Sequence, residues 1–244
     1  MIMKILTVVA ALAISTSAFA ADNFASVRES VQKAFPKTPI DSIKATQIDG
    51  LFEIVSGDNI IYYYPKTGNI IVGEIYTREG KNITTESRNK IIEKKAASID
   101  ISKAIKIGSG KNIVIEFTDP DCSFCRKSYD YWKTKKDVTH YVFLYPVPSL
   151  HPKATEKSQW ILSQKDKVAA FNDVLSGRFD NLSPKGISHE GKKLLEEHLQ
   201  IAAKVHVNGT PMFFVNNKFI SGANFPAIDQ ALSAGSSVKT QPKD

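Results

Sequence analysis

Cys122 and Cys125 are the two cysteines of this 244-residue chain, and they form one Cys-Ser-Phe-Cys motif. Three positions apart, they enclose too small a loop to staple a fold. A thiol pair at that spacing suits chemistry on other molecules. One thiolate attacks a disulfide, and the second thiol resolves the mixed disulfide by attacking the first. Other uses fit less well. A zinc site needs two further ligands, and no two of His140, His151, His189, His198 and His206 fall at a paired ligand spacing. Haem attachment needs a histidine after the second cysteine, and position 126 is arginine. No metal and no cofactor is expected.

This chemistry needs elements that hold the pair. Asn112 to Thr118 reads as a buried strand, and the cysteines then open a helix running to about Trp132. A helix start presents unpaired N–H groups and the positive end of the dipole. Cys122, at the exposed start, should therefore have a lowered pKa, while Cys125, almost one turn along, faces inward beside it. Glu116 lies mid-strand between Ile115 and Phe117. It is either an exposed strand residue or a buried carboxylate able to shuttle the proton of Cys125. Asp119 and Asp121 flank the pair; a nearby negative charge opposes a thiolate, so Asp121 is expected to face solvent or cap the helix. Gly209-Thr210-Pro211 precedes an apolar strand. Beside a redox-active pair, a cis Pro211 would leave the Thr210 backbone open to an extended substrate, which pairs with it as an added strand.

The rest of the chain falls into segments. Residues 1–20 read as a signal peptide: Lys4, then the apolar run Ile5 to Ile14, then Ala18-Phe19-Ala20 as the cleavage site. Cleavage after Ala20 leaves a soluble exported chain beginning at Ala21, with no cysteine there to take a lipid. No later segment is long and apolar enough to cross a membrane. The formal charge of +7 becomes +6 once Lys4 is removed. The lysines are dispersed among acids and no nucleic-acid motif is present.

Asp22 to Phe35 reads as a helix capped by Asp22, with Phe24, Val27, Val31 and Phe35 on one face. Strands are expected at Leu51 to Val55, Ile60 to Tyr64 and Ile70 to Tyr76, separated by Ser56-Gly57-Asp58-Asn59 and Pro65-Lys66-Thr67-Gly68-Asn69. So small a sheet buries little core, which makes a partner surface plausible. Thr85 to Ser98 reads as a polar connecting helix. After the cysteine helix come a strand at Val138 to Tyr145, helical periodicity over 153–176 and 188–204, a hairpin about Asn216-Asn217 and a closing helix at Pro226 to Leu232. Leu194, Leu195, His198, Leu199 and Ala202 mark the apolar face of the second helical stretch.

Phe117-Thr118-Asp119-Pro120-Asp121-Cys122-Ser123-Phe124-Cys125, with Gly209-Thr210-Pro211, resembles the periplasmic disulfide-bond isomerases of the DsbC and DsbG type. Gly50 to Ile54 and Gly73 to Tyr76 resemble that family's N-terminal domain. The resemblance implies an α+β chain. It would comprise a signal peptide (1–20), a cystatin-like N-terminal dimerisation domain (21–83), a linker helix (84–99), a thioredoxin-fold catalytic domain with a helical insertion (100–236) and a flexible tail (237–244). It implies a homodimer, Cys122 as nucleophile, Cys125 as resolving thiol and Thr210 before a cis Pro211. It also implies unfolded or misoxidised secreted proteins as partners, a DsbD-like membrane thiol reductase as electron donor, and no nucleic acid. The Ser123-Phe124 dipeptide differs from the Gly-Tyr usual in DsbC. Some relatives carry a second disulfide in the insertion, where this chain has Trp160-Ile161 and must rely on packing by Ile161 and Leu162. The expected function is a thiol–disulfide oxidoreductase, foremost an isomerase. A dithiol oxidase of the same fold and a holdase chaperone are the alternatives.

Overall fold

The computed structural model describes residues 15–57 and 59–235, with side chains from Phe24 onward. The signal-peptide core, Asp58 of the first turn and the tail 237–244 lie outside the described residues. The chain divides into two compact units, Met1–Arg88 and Asn89–Asp244.

In the first unit, helix α1 (Ser15–Ala34) covers an antiparallel sheet of β1 (Ser42–Ala45), β2 (Phe52–Ser56), β3 (Asn59–Tyr64) and β4 (Asn69–Ile71), in that order across the sheet. Val27 and Val31 are fully buried against Phe52, Ile54 and Tyr63, as the spacing of four along a helix requires. Three expectations change here. The helix begins at Ser15, so Asp22 is an interior position and not its cap; the alanine-rich run before it is helix-favouring. Cleavage after Ala20 would return Asp22 to the first turn. Phe35 lies past the last helical residue and is 38% exposed, because Pro36 turns the chain away. The third expected strand stops at Ile71, and Tyr76 makes only an isolated bridge to Asn82. Gly73, which has no side chain to pack, follows that stop. Strand β1 is an addition, and its one apolar side chain pointing inward, Ile43, leaves no alternating signal.

Helix α2 (Ile83–Ala96) starts in the first unit, where Tyr62 and Thr84 share a short hydrogen bond and Asn82 Oδ1 accepts from Thr85 N. It ends in the second unit, where the Glu93 carboxylate accepts from Phe219 N at 3.2 Å.

The second unit is built on a five-stranded sheet ordered β5 (Ile105–Ile107), β7 (Val138–Leu144), β6 (Asn112–Thr118), β8 (Met212–Val215), β9 (Lys218–Ser221). Strands β6 and β7 are parallel and joined through helix α3 (Ser123–Lys133); the other pairs are antiparallel. Central strand β6 is buried on both faces. Ile115 and Phe117 enter one cluster with Phe143, Ala202 and Phe214; Val114 enters another with Trp132, Phe213 and Ile228 of helix α7 (Phe225–Gly235). Asn216 and Asn217 both take positive φ in the β8–β9 turn, as a two-residue hairpin requires.

Between β7 and β8 lies the helical insertion. The helical stretch over 153–176 is two helices, α4 (Ala154–Ser163) and α5 (Lys167–Leu175), broken where Asp166 caps the second through Ala169 N. Helix α6 (His189–Lys204) packs on α4. Ile161 and Leu162 are buried with Phe171, Val174 and Leu195 and supply the packing the missing disulfide would have reinforced. Leu199 instead lies at the exposed margin of α6. His198 is a buried crosslink: its Nδ1 accepts from Leu144 N at 3.0 Å and its Nε2 faces Lys103 O at 2.8 Å. Burial lowers its pKa to about 4, which keeps the ring neutral in the tautomer those two bonds demand.

Helices α4 and α6 approach closely at Gly191. A Cβ there would overlap Ser163 Oγ and stand 2.7 Å from Gln159 O. Gly191→Ala should therefore destabilise the second unit by about 1–3 kcal/mol, the usual range for overpacking, read as a lower urea midpoint with unchanged slope.

Candidate active site

Strand β6 ends at Thr118, and the turn Asp119–Asp121 delivers Cys122 to the N-cap of α3. Cys122 N donates to Asp119 O at 3.2 Å, and Cys122 O accepts the first helical bond from Arg126 N. The cap position has no side-chain hydrogen bond, so the first-turn amides remain available to the sulfur. The Thr210–Pro211 peptide is cis, and Cys122 Sγ lies 3.6 Å from Thr210 O. The two segments, 88 residues apart in sequence, are thus in contact. Residue Cys122 is only 7% exposed, less than its position at a helix start suggests, because the Thr210 carbonyl lies over the sulfur. Cys125 is wholly buried, and its sulfur accepts from Asp119 N at 3.4 Å. Phe124, between them, is exposed, with the Lys127 ammonium 5.1 Å from its ring centre.

The thiols are driven apart in acidity. The pKa of Cys122 falls to about 5, first through the hydrogen bond from Cys125, then through the Cys125 and Phe124 backbone amides, against an opposing effect of burial. Cys125 is raised, first by burial, then by that same hydrogen bond, then by the Glu116 charge. The helix start, which the sequence points to as the cause, is thus secondary to the partner thiol.

Both flanking acids are neutralised by the fold. Asp121 neither caps the helix nor faces solvent: it pairs with the buried Lys157 of α4 and with Arg126 Nη2 at 3.3 Å. Asp180 accepts two bonds from Arg126, one at 2.8 Å. Asp119 is fully buried and takes three bonds, from Asp121 N at 2.8 Å, Val147 N at 2.7 Å and His151 Nδ1 at 3.0 Å. Arg126, His151, Lys157 and Asp180 were not sequence candidates; apart from Arg126 with Asp121, five residues away, their pairings join segments remote in the chain. Glu116 is 2% exposed and faces the α3 side of the sheet with Val114. His140 Nε2 lies 2.7 Å from Glu116 Oε2, out of line for a hydrogen bond.

The reduced protein should titrate one thiolate with a midpoint near 5, followed by ultraviolet thiolate absorbance. Cys125→Ala should raise that midpoint by about 1–2 units, the equivalent of a charge-assisted hydrogen bond. The depressed pKa also stabilises the fold. The contribution is full above the unfolded thiol pKa of about 8.5 and is lost as pH falls towards 5. The stability difference between the reduced protein and Cys122→Ala should shrink across that window.

Two family models match the chain: the disulfide bond isomerase N-terminal domain over residues 18–85 and the thioredoxin-like domain over residues 100–227. The probable thiol:disulfide interchange protein DsbC of Bordetella avium is 29% identical over 206 residues, 82% of this chain and 71% of that protein. The thiol:disulfide interchange protein DsbC of Escherichia coli K12 is 23% identical over 207 residues, 82% of this chain and 83% of that protein. Among solved structures, a linker-deletion variant of Proteus mirabilis ScsC shares the fold at a TM-score of 0.50 and 19% identity, covering 64% of this chain and 87% of that one. With a thioredoxin-like domain over half its length behind a disulfide-isomerase N-terminal domain, the chain belongs to the DsbC-like thiol:disulfide interchange proteins, oxidoreductases of the thioredoxin fold.

Proposed function

We propose that this protein is a periplasmic disulfide isomerase acting on misoxidised secreted proteins, with Cys122 as nucleophile and Cys125 as resolving thiol. The observation that carries the reading is the placement of the thiols, Cys122 at the N-cap of α3 beside the Thr210 carbonyl and Cys125 buried behind it, in a chain whose N-terminal residues match a disulfide-isomerase domain. Cys122 attacks a substrate disulfide and one substrate sulfur leaves as thiolate. The mixed disulfide then rearranges within the substrate, or Cys125 attacks Cys122 and releases the substrate reduced. Glu116 accepts the Cys125 proton in that second route. The backbone of Thr210, ahead of Pro211, receives an extended substrate segment beside Cys122. A DsbD-like membrane reductase returns the pair to the dithiol. Residues 1–20 are the export signal, 21–83 the dimerisation domain, 84–99 the linker and 100–236 the catalytic domain.

The dimer reading is supported by the β4 edge of the first sheet, which has no partner among the described residues. Strand β4 pairs on one side only, and Ile71 and Val72 at its end are 50% and 80% exposed. An open edge with apolar side chains is a template for another strand, and a second copy of β4 would satisfy it.

A dithiol oxidase is the second reading, favoured by the low Cys122 pKa: stabilising the thiolate stabilises the reduced protein and makes its disulfide more oxidising. Trapping thiols in cells separates the two. An isomerase is held mostly reduced and an oxidase mostly oxidised. Cys122→Ala should abolish reactivation of scrambled ribonuclease; full activity in that variant would reject the mechanism. Ile71→Lys with Val72→Asp should convert a dimer to a folded monomer by light scattering, and a wild-type protein already monomeric at micromolar concentration would reject the dimer.

A further inference from the structure

Both cysteines are held by one residue that is neither of them. Asp119 opens the turn after β6: its N–H points at Cys125 Sγ at 3.4 Å, and its carbonyl accepts from Cys122 N at 3.2 Å. Its side chain fixes the same turn. The carboxylate is fully buried, with Oδ1 accepting from Asp121 N at 2.8 Å and Oδ2 accepting from Val147 N at 2.7 Å and His151 Nδ1 at 3.0 Å. Two of these three donors are backbone amides, which a change of side chain leaves in place. The third is the His151 ring.

His151 is mounted for this contact. It lies in the segment between β7 and α4, where Leu150 N and His151 N both donate to Val147 O, at 2.9 and 2.8 Å, and His151 O accepts from Ala154 N at 3.0 Å. Pro148 and Pro152 fix two further backbone angles there. The segment is also tied to the end of β6, since Tyr145 N donates to Thr118 O at 2.7 Å. A ring on so constrained a backbone loses little freedom when it bonds, so more of the bond's free energy reaches the turn. A carboxylate oxygen only accepts, so the hydrogen between the two groups sits on Nδ1. The ring is partly exposed and borders a groove shared with Ser123 and Leu150, so it can be replaced without opening the core.

We propose that His151 is a positioning residue of the dithiol: its bond to the Asp119 carboxylate keeps the Asp119 amide on Cys125 and the Asp119 carbonyl on Cys122, and so sets the balance between dithiol and disulfide. The proposal rests on the reading of Cys122 and Cys125 as the reacting pair and adds a side chain whose bond is to Asp119 and not to either sulfur. Withdrawing that bond leaves a buried carboxylate one donor short in the turn that carries the thiols. A carboxylate less well bonded opposes a nearby thiolate more strongly, and the turn that aims the Asp119 amide at Cys125 has less to hold it. Both effects fall on the reduced protein. The disulfide carries no charge for the carboxylate to oppose. A bond that served the fold alone would stabilise the two redox states equally and cancel from the equilibrium between them.

Leucine and asparagine are close in size, and asparagine Nδ2 stands where histidine Nδ1 stands. His151→Leu therefore removes the donor, and His151→Asn returns it. The measurement is the equilibrium of the full chain with glutathione, in which the protein dithiol and oxidised glutathione give the protein disulfide and two reduced glutathiones. His151→Leu should shift that equilibrium about three- to tenfold toward the protein disulfide, the equivalent of one hydrogen bond, and raise the thiolate midpoint of Cys122. His151→Asn should return both to the wild-type values. Urea unfolding of the oxidised and reduced forms separates this from a plain loss of stability. Equal losses in the two forms with an unmoved equilibrium would overturn the proposal, and so would the same shift in both variants. Should His151→Leu fail to fold, His151→Gln takes its place, because its amide reaches the Nε2 position and not Nδ1. A shift of the size expected for His151→Leu supports the proposal, and a wild-type equilibrium rejects it. A wild-type chain that does not exchange with glutathione at all would reject the reading of the dithiol, and this proposal with it.

Discussion

The chemistry of the site depends on two sulfurs held within one turn, each the other's electrostatic partner. Cys122 and Cys125 are the same residue type, three positions apart, yet one is lowered to about 5 and the other raised. A thiol donating to a thiolate lowers the acceptor and raises the donor in a single contact. Burial then decides which sulfur is which, since desolvation penalises the charged form. Cys125 lies wholly within the protein and must stay protonated; Cys122, at the cap, meets the first amides of α3. Everything that fixes the start of α3 relative to β6 serves this contact. The Asp119 amide aimed at Cys125 and the Asp119 carbonyl receiving the Cys122 amide clamp both cysteines to one turn.

That turn carries two acids, an unfavourable setting for a thiolate. The fold removes the conflict by drawing each carboxylate into bonds of its own. Asp119 is spent on two backbone amides and His151, and Asp121 on Arg126 and Lys157. Lys157 is buried, so this pairing is no simple source of stability: desolvating such ions offsets much of their attraction. Its value is positional. Lys157 belongs to α4 and Asp180 to the loop before α6, so the helical insertion grips the dithiol turn through charge. His198 grips the same insertion to Leu144 and Lys103 from the other side.

Much of this was legible in the sequence, and what was not has physical causes. Strand β6 was readable to the residue, because an apolar run ending in a Cys-x-x-Cys helix leaves little freedom at its ends. The hairpin at Asn216-Asn217 was readable from turn chemistry alone. Strands β1 and β5 were not: they are three or four residues long, at sheet edges, and too short to show alternation. The break between α4 and α5 hid in a continuous helical pattern, since its signal is one capping aspartate. At the site, the cysteines, Glu116 and Thr210–Pro211 could be named from local sequence. The Arg126–Asp180–Lys157 network and the Glu116–His140 pair could not. Each joins segments that only register and packing bring together.

The asymmetry of the thiols also bears on which reaction such a pair suits. An acidic Cys122 is ionised at neutral pH and attacks at once, but a thiolate of low pKa is a modest nucleophile and a good leaving group. It forms mixed disulfides readily and is readily expelled from them. A Cys125 with a raised pKa is slow to supply the thiolate that ends the encounter. Between those two rates lies the time in which a substrate thiol can attack the mixed disulfide and leave with a new pairing. Lengthening that interval favours isomerisation; shortening it favours reduction. The groups that govern proton removal from the buried thiol therefore set the balance between outcomes, together with the ease with which Cys122 is expelled by a substrate thiol.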